Sequence, residues 1–207
     1  KEAALRAAEI AYDQKDYAAS LRYFKRLELA AQTTENKNIA RLGVLRTSYF
    51  LNNTDETIQI ANEIISDSKS SAQMRTEALL NRAKAFIRQN KLNEALKDLK
   101  EMNIDTRTSI GAEAKFALSE VLFKLNRLNE TETEVRDFAK KGTPHQYWLA
   151  RSFIVLSDIY IQKGDDVQAK QYLLSLQKNY TVKDDVQEMI IERMAKIDER
   201  SKDRVIK

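Results

Sequence analysis

The chain repeats one helical phrase, and this repetition constrains its fold more than any other feature. FIRQNKLNEALKDLK (residues 86–100) is echoed by FKLNRLNETETEVR (residues 123–136). Polar breaks of the same kind recur along the whole chain, at Lys15, Asn53, Asn90, Asn126 and Gly164. Five breaks that are 36 to 38 residues apart predict a modular repeat architecture.

Each copy has a helical pattern on both sides of its break, with apolar residues at i, i+3, i+4 and i+7. In the third copy Leu79, Ala83 and Phe86 precede the break, and Ala95 and Leu99 follow it. Small residues occupy the positions where two helices must approach closely. Only four glycines and one proline interrupt the 207 residues, which favours an all-α chain. The repeating unit is therefore a helix–turn–helix hairpin, which needs its neighbour to bury its apolar face.

These patterns predict a single helical-repeat solenoid over residues 1–200. Its repeats would span about residues 1–35, 36–72, 73–108, 109–143 and 144–182. A further helix over residues 184–199 has one apolar stripe, formed by Val186, Met189, Ile190, Met194 and Ile197. We expect this helix to cap the open end of the solenoid and residues 201–207 to form a tail. The chain begins without methionine and within a helical pattern, which indicates a fragment of a longer chain.

The composition and motifs argue against a catalytic, metal-binding or nucleic-acid-binding site. The chain has no cysteine, and its one histidine, His145, has no second histidine or cysteine with which to form a metal site. No glycine-rich phosphate loop or nucleophile elbow occurs. The formal net charge of +4 comes from basic and acidic residues that are interleaved, unlike the basic stripe of a nucleic-acid binder. We expect no catalytic residue, cofactor, metal, nucleic-acid partner or transmembrane segment.

The hairpins resemble the tetratricopeptide repeat, as AYDQKDYAASLRYFKRLEL (residues 11–29) illustrates. The resemblance implies a right-handed solenoid that binds a protein or peptide. The chain departs from the family in its spacing, which exceeds 34 residues, and in the missing proline after the second helix. In the second copy Arg46 occupies a position where the family has a small residue, and the alignment indicates the deletion of one residue near Thr54. This leaves the register of that copy open by one residue.

In the resembling family, the first helix of each hairpin lines a concave groove that binds peptides. Carried over to this chain, the groove set is Tyr12, Leu80, Lys84, Ile87, Arg88, Phe116, Glu120, Phe123, Lys124, Arg151, Ile154, Asp158 and Ile161. Apolar residues among charges suit an apolar peptide or an amphipathic segment. The alternative is that these residues only pack between neighbouring hairpins. The residue pattern of the family's carboxylate-clamp variant does not occur in this sequence.

The last repeat (residues 147–180) is also similar to the end of large tetratricopeptide proteins from the cell envelope of Gram-negative anaerobes. That similarity favours a periplasmic or outer-membrane-associated location and leaves a cytoplasmic one open. We therefore expect a non-enzymatic protein–protein interaction scaffold that engages its partner through the groove. The alternative is a regulatory or sensory module that self-associates, as a homodimer, through the C-terminal helix.

Overall fold

The computed structural model describes residues 2–205, with side chains up to residue 202, and every regular element within this range is an α-helix. The eleven helices are α1 (Glu2–Asp13), α2 (Tyr17–Ala30), α3 (Thr34–Phe50), α4 (Thr54–Ser66), α5 (Ala72–Arg88), α6 (Leu92–Glu101), α7 (Ser109–Lys124), α8 (Leu128–Lys141), α9 (Gln146–Lys163), α10 (Asp166–Asn179) and α11 (Asp185–Val205). The predicted fold class, five helix–turn–helix hairpins followed by one further helix, is confirmed. None of the described helices is both long and apolar enough to cross a membrane.

The turn inside each hairpin has one residue in the left-handed backbone region. These residues are Lys15, Asn52, Asn90, Asn126 and Gly164, with φ between 57° and 79°. Glycine and asparagine adopt this conformation at the lowest cost, which explains their recurrence at the breaks. In the second copy the turn residue is Asn52, one position before the predicted Asn53. The spacings are therefore 37, 38, 36 and 38 residues.

Counting from these turn residues aligns the five hairpins. Seven positions before the turn lies a side chain with no exposed surface, namely Ala8, Leu45, Ala83, Ser119 and Ser157. Five positions after it lies a second such set, namely Ser20, Thr57, Ala95, Thr131 and Ala169. The two sets mark where the paired helices cross, since most are small and the Ser20 hydroxyl donates to the Ala8 carbonyl at 2.9 Å. In the second copy Leu45, not Arg46, is the buried residue.

The chain divides into two compact units, residues 1–103 and 104–207. The first unit contains α1 to α6, and its core includes Phe24, Leu45 and Ile64. The second unit contains α7 to α11, and its core includes Val135, Leu156 and Leu173. The single solenoid over residues 1–200 stays a prediction.

Helix α11 packs on α9 and α10 through the apolar stripe that its sequence predicts. Val186, Ile190 and Ile197 are buried, and Met189 and Met194 are partly buried against the same cluster. The helix continues to Val205, beyond the predicted end at residue 199. Residues 206 and 207 of the predicted tail lie outside the described part of the chain.

Candidate functional site

In the first unit, the predicted residue Tyr12 lies in an aromatic cluster at the turn ends of α1 and α3. Its ring is 5.5 Å from the Tyr17 ring and 5.9 Å from the Phe50 ring. Tyr17 and Phe50 stack at 4.7 Å, although Phe50 is 50% exposed. Burial raises the pKa of the Tyr12 phenol above its ordinary value.

Two predicted cations of α5 lie over the ring of Tyr49 in α3. The Lys84 ammonium is 4.1 Å and the Arg88 guanidinium 3.8 Å from the ring centroid. Arg88 also donates to the Tyr49 carbonyl at 2.6 Å. On the same helix, Ile87 is partly buried and Leu80 is buried. The two cations therefore hold α5 against α3 through Tyr49, and they add positive charge to the surface of α5.

In the second unit, α7 and α9 meet through predicted residues. The Phe116 ring stacks on the Trp148 ring at 5.4 Å, and the Arg151 guanidinium lies 4.8 Å from the Phe116 centroid. Arg151 donates to the Tyr147 hydroxyl at 2.8 Å. Glu120 and Lys124 pair with each other along α7 at 3.2 Å.

Helix α11 covers part of the predicted α9 set. Arg193 donates two hydrogen bonds of 2.8 Å to the Asp158 carboxylate, which neutralises that charge. Arg200 donates to the Ile161 carbonyl at 2.9 Å. Ile154 and Ile161 belong to the core cluster that contains the α11 stripe. The last hairpin is thus partnered within the chain.

Burial separates the predicted set into two groups. Leu80, Phe116, Ile154 and Ile161 are 2 to 6% exposed. Those four side chains contribute through packing, as the alternative interpretation expects, and have almost no surface to offer a partner. The other nine are partly or fully exposed, and their role in binding stays a prediction.

In the second unit, some of the predicted residues line a cavity of about 450 Å³. We call it the α9–α11 cavity, and its lining residues are Phe123, Asp158, Ile161, Gln162, Lys196 and Arg200. The first three were predicted from the sequence. The two cations of α11, Lys196 and Arg200, do not belong to the predicted set. Their spacing could have revealed them, since Arg193, Lys196 and Arg200 follow i, i+3, i+7 along one face.

The described residues were also compared with the requirements of a metal site. Among the residues that the structure describes, no cluster of three or more His, Asp or Glu side chains could hold a metal ion. His145 lies immediately before α9 as its N-cap residue, and its backbone N–H donates to the Thr143 hydroxyl at 3.0 Å.

The fold is that of tetratricopeptide-repeat proteins. A crystal structure of a thermophilic tetratricopeptide-repeat protein from Thermus thermophilus is similar to this chain, with a TM-score of 0.63 and 16% identity, over 94% of this chain and 98% of that one. A tetratricopeptide-repeat protein from Parabacteroides merdae aligns with a TM-score of 0.48 and 10% identity, over 92% and 83% of the two chains. No protein-family model matches the sequence. A search of curated proteins also found no match.

Proposed function

We propose that the protein is a non-enzymatic scaffold that binds a segment of a partner protein, with the α9–α11 cavity as one contact site. The observation that carries this proposal is the convergence of Phe123, Gln162 and Lys196 on one open cavity. The segment is an apolar peptide or one face of an amphipathic helix. Tetratricopeptide-type folds suit this role because rigid hairpins present side chains at fixed positions.

The chemistry of the lining supports an apolar segment that carries a carboxylate. Phe123 supplies aromatic surface, and the Asp158 charge is already neutralised by Arg193. Lys196 makes no ion pair among the described residues. A carboxylate close to the apolar anchor would therefore meet a cation with no competing partner. The proposed setting is the cell envelope, which rests on the resemblance of residues 147–180 alone.

The test compares two phenylalanine substitutions in a peptide-binding assay. Short fluorescent peptides with an apolar anchor and a nearby carboxylate are titrated with protein and followed by anisotropy. Phe123→Ala should weaken binding at least about tenfold, since aromatic anchors dominate such interfaces. Phe50→Ala removes an exposed ring from the other unit and should leave the affinity unchanged. Equal affinities for Phe123→Ala and the parent, with unchanged circular dichroism, would refute the site.

A second function, self-association through α11, is favoured by one observation. Ile191 is 63% exposed on α11, on the side away from the packed stripe. In this case light scattering should show a dimer at high protein concentration, and Ile191→Arg should abolish it. A monomer at all concentrations would exclude this alternative.

A further inference from the structure

Helix α11 has the residue register of the first helix of a hairpin. Lys202 lies 38 residues after Gly164, a spacing that also separates two pairs of successive turn residues. Ile190 and Ile197, twelve and five positions before Lys202, are 1% and 2% exposed. The residues at these two positions in α3, α5 and α9 have no exposed surface, namely Ala40, Thr47, Ala78, Ala85, Ser152 and Ile159. Helix α11 therefore continues the repeat.

The side of α11 that would face a second helix is exposed. Ala195 lies seven positions before Lys202, where each of the five hairpins has a residue with no exposed surface at the helix crossing. Ile191 lies eleven positions before Lys202 and is 63% exposed. In the fifth hairpin this position belongs to Phe153, which packs on Tyr172 of α10 with 6.3 Å between the ring centroids. No second helix covers α11 among the described residues.

Helix α10 extends this exposed surface. Lys170 of α10 pairs with Asp198 of α11 at 3.0 Å. Val167 and Leu174 lie on the same side of α10 as Lys170, because they are three residues before it and four after it. They are 72% and 47% exposed. The two exposed residues of α11 lie seven and three positions before Asp198, on its side of that helix. We call this set the α10–α11 surface, and its members are Val167, Leu174, Ile191 and Ala195.

The fifth hairpin shows how a second helix covers the equivalent surface. Tyr172 of α10 lies between α8 and α9, and its ring stacks on Tyr160 at 5.5 Å as well as on Phe153. The Tyr172 hydroxyl accepts a hydrogen bond from Arg136 at 3.1 Å. The Tyr160 hydroxyl donates to Glu132 at 2.9 Å, which joins the two helices beneath. An aromatic side chain of the second helix thus fills the space above four residues of its neighbours.

The same four positions recur in α10 and α11. In the order Phe153, Tyr160, Arg136 and Glu132, their counterparts are Ile191, Asp198, Leu174 and Lys170. The ion pair between α10 and α11 therefore corresponds to the hydrogen bond from the tyrosine hydroxyl to the glutamate. The correspondence predicts that an aromatic side chain of a further helix fits between Leu174 and Ile191. At the position of Leu174 the other hairpins all have polar residues, namely Lys25, Asn62, Lys100 and Arg136.

Two opposite charges border the exposed side of α11. Glu188, Ile191, Ala195 and Lys202 follow one another at spacings of three, four and seven residues, so they share one stripe. Glu188 and Lys202, at the ends of this stripe, are exposed and make no ion pair among the described residues. A helix antiparallel to α11 would begin near Lys202 and end near Glu188. Acidic residues in its first turn and basic residues in its last turn would complement both charges and its own dipole.

The second helices of this chain already have that charge pattern. Helix α8 has Glu130 in its first turn and Lys140 and Lys141 in its last. Helix α10 has Asp166 in its first turn and Lys178 in its last. A second copy of the chain has no such helix to offer, because each of its second helices packs on the first helix of its own hairpin. The complementary helix therefore belongs to another protein.

We propose that α11 is the first helix of a sixth hairpin, which a helix of a partner protein completes by packing on the α10–α11 surface. The partner helix runs antiparallel to α11 and has an acidic first turn and a basic last turn. It places an aromatic side chain between Leu174 and Ile191 and a small residue over Ala195. This surface shares no residue with the α9–α11 cavity, which lies beside Lys196 and Arg200.

The test uses three labelled model peptides of 14 residues, the length of α8 and α10. The matched peptide has glutamates in its first turn, lysines in its last turn, and an alanine and a tyrosine at the positions of Ala169 and Tyr172. The charge-exchanged peptide has the lysines first and the glutamates last. The displaced peptide has its tyrosine on the opposite face. Each is titrated with the full chain and followed by fluorescence anisotropy.

Two sets of variants test the surface. Leu174→Asp places a charge within it, and Leu29→Asp is the matched control, since Leu29 is an exposed leucine of α2. The double substitution Glu188→Lys and Lys202→Glu exchanges the two end charges without changing the net charge. All four sites are exposed or partly exposed, so the fold should survive, which circular dichroism and the thermal midpoint verify.

The matched peptide should bind at least about tenfold more tightly than the displaced peptide, since an aromatic anchor dominates such contacts. Leu174→Asp should weaken its binding about tenfold, and Leu29→Asp should leave it unchanged. The parent should prefer the matched peptide to the charge-exchanged one, and the double variant should reverse this preference. Phe123→Ala, which tests the α9–α11 cavity, should have no effect on these peptides.

Three results would overturn the proposal. The first is equal binding, or no binding, of the matched and displaced peptides. The second is an unchanged charge preference in the double variant. The third is a concentration-dependent dimer that Leu174→Asp abolishes, because a second copy would then cover the α10–α11 surface.

Discussion

The packing of α11 can be tested with two neighbouring isoleucines that undergo the same chemical change. Ile190 is 1% exposed, within the cluster that joins α9, α10 and α11. Ile191, the next residue, is 63% exposed. Replacing each by alanine deletes the same atoms from opposite environments.

The two environments predict very different losses of stability. Ile190→Ala removes buried methyl and methylene groups and leaves a cavity that its neighbours fill only in part. Such substitutions cost about 2–5 kcal/mol. Ile191→Ala loses little contact and should change the free energy of unfolding by no more than about 0.5 kcal/mol. For a unit whose total stability is about 5–15 kcal/mol, the first loss is large.

Urea unfolding followed by tryptophan fluorescence measures both variants. Trp148 is the only tryptophan in the sequence and stacks on Phe116 in the second unit, so it reports on the unit that contains α11. A lower urea midpoint with an unchanged m-value would identify a loss of native packing. The reasoning would be refuted if the two variants differed by less than about 0.5 kcal/mol, because α11 would then not pack through the predicted stripe.

Three further predictions concern the turns, the first core and acid stability. Gly164→Ala should cost about 1 kcal/mol in urea unfolding, since φ is +79° and nothing crowds the new methyl group. Gly43→Ala should cost about 1–3 kcal/mol, measured by circular dichroism, because the buried Phe24 ring must move. Hydrogen bonds, first from Lys115 and then from Lys141, hold the pKa of Asp137 below its usual 3.8. This stabilisation is complete above that value and is lost as the pH falls through the lowered pKa. Lys115→Met should therefore make the unfolding free energy of the second unit less sensitive to pH on the acid side, as measured through Trp148.

The hairpins could be predicted from the sequence because their determinants are local. Apolar spacing defines each helix, and Asn90, Asn126 and Gly164 supply the left-handed residue of the turn within a few positions. The second copy was misplaced by one residue because Asn52 and Asn53 suit that conformation equally well. The structure distinguishes them, because Asn52 has the positive φ, and Leu45 and Thr57, seven positions before it and five after it, are fully buried.

The candidate site was predicted less completely, since exposure depends on what covers a helix. Phe116 and Ile154 lie at the expected positions, but neighbouring helices bury them. Lys196 could not be assigned to a cavity before α11 was known to lie beside α9.

The sequence by itself determined the helices, their pairing into hairpins and the apolar face of α11, because these depend on periodicities within about 40 residues. The tertiary structure alone decided which side chains remain accessible and which charges are neutralised. Asp158 is held by a residue 35 positions away, and Arg46 by one 31 positions away. Such pairs arise only when separate hairpins meet, and no local pattern encodes the distance between them.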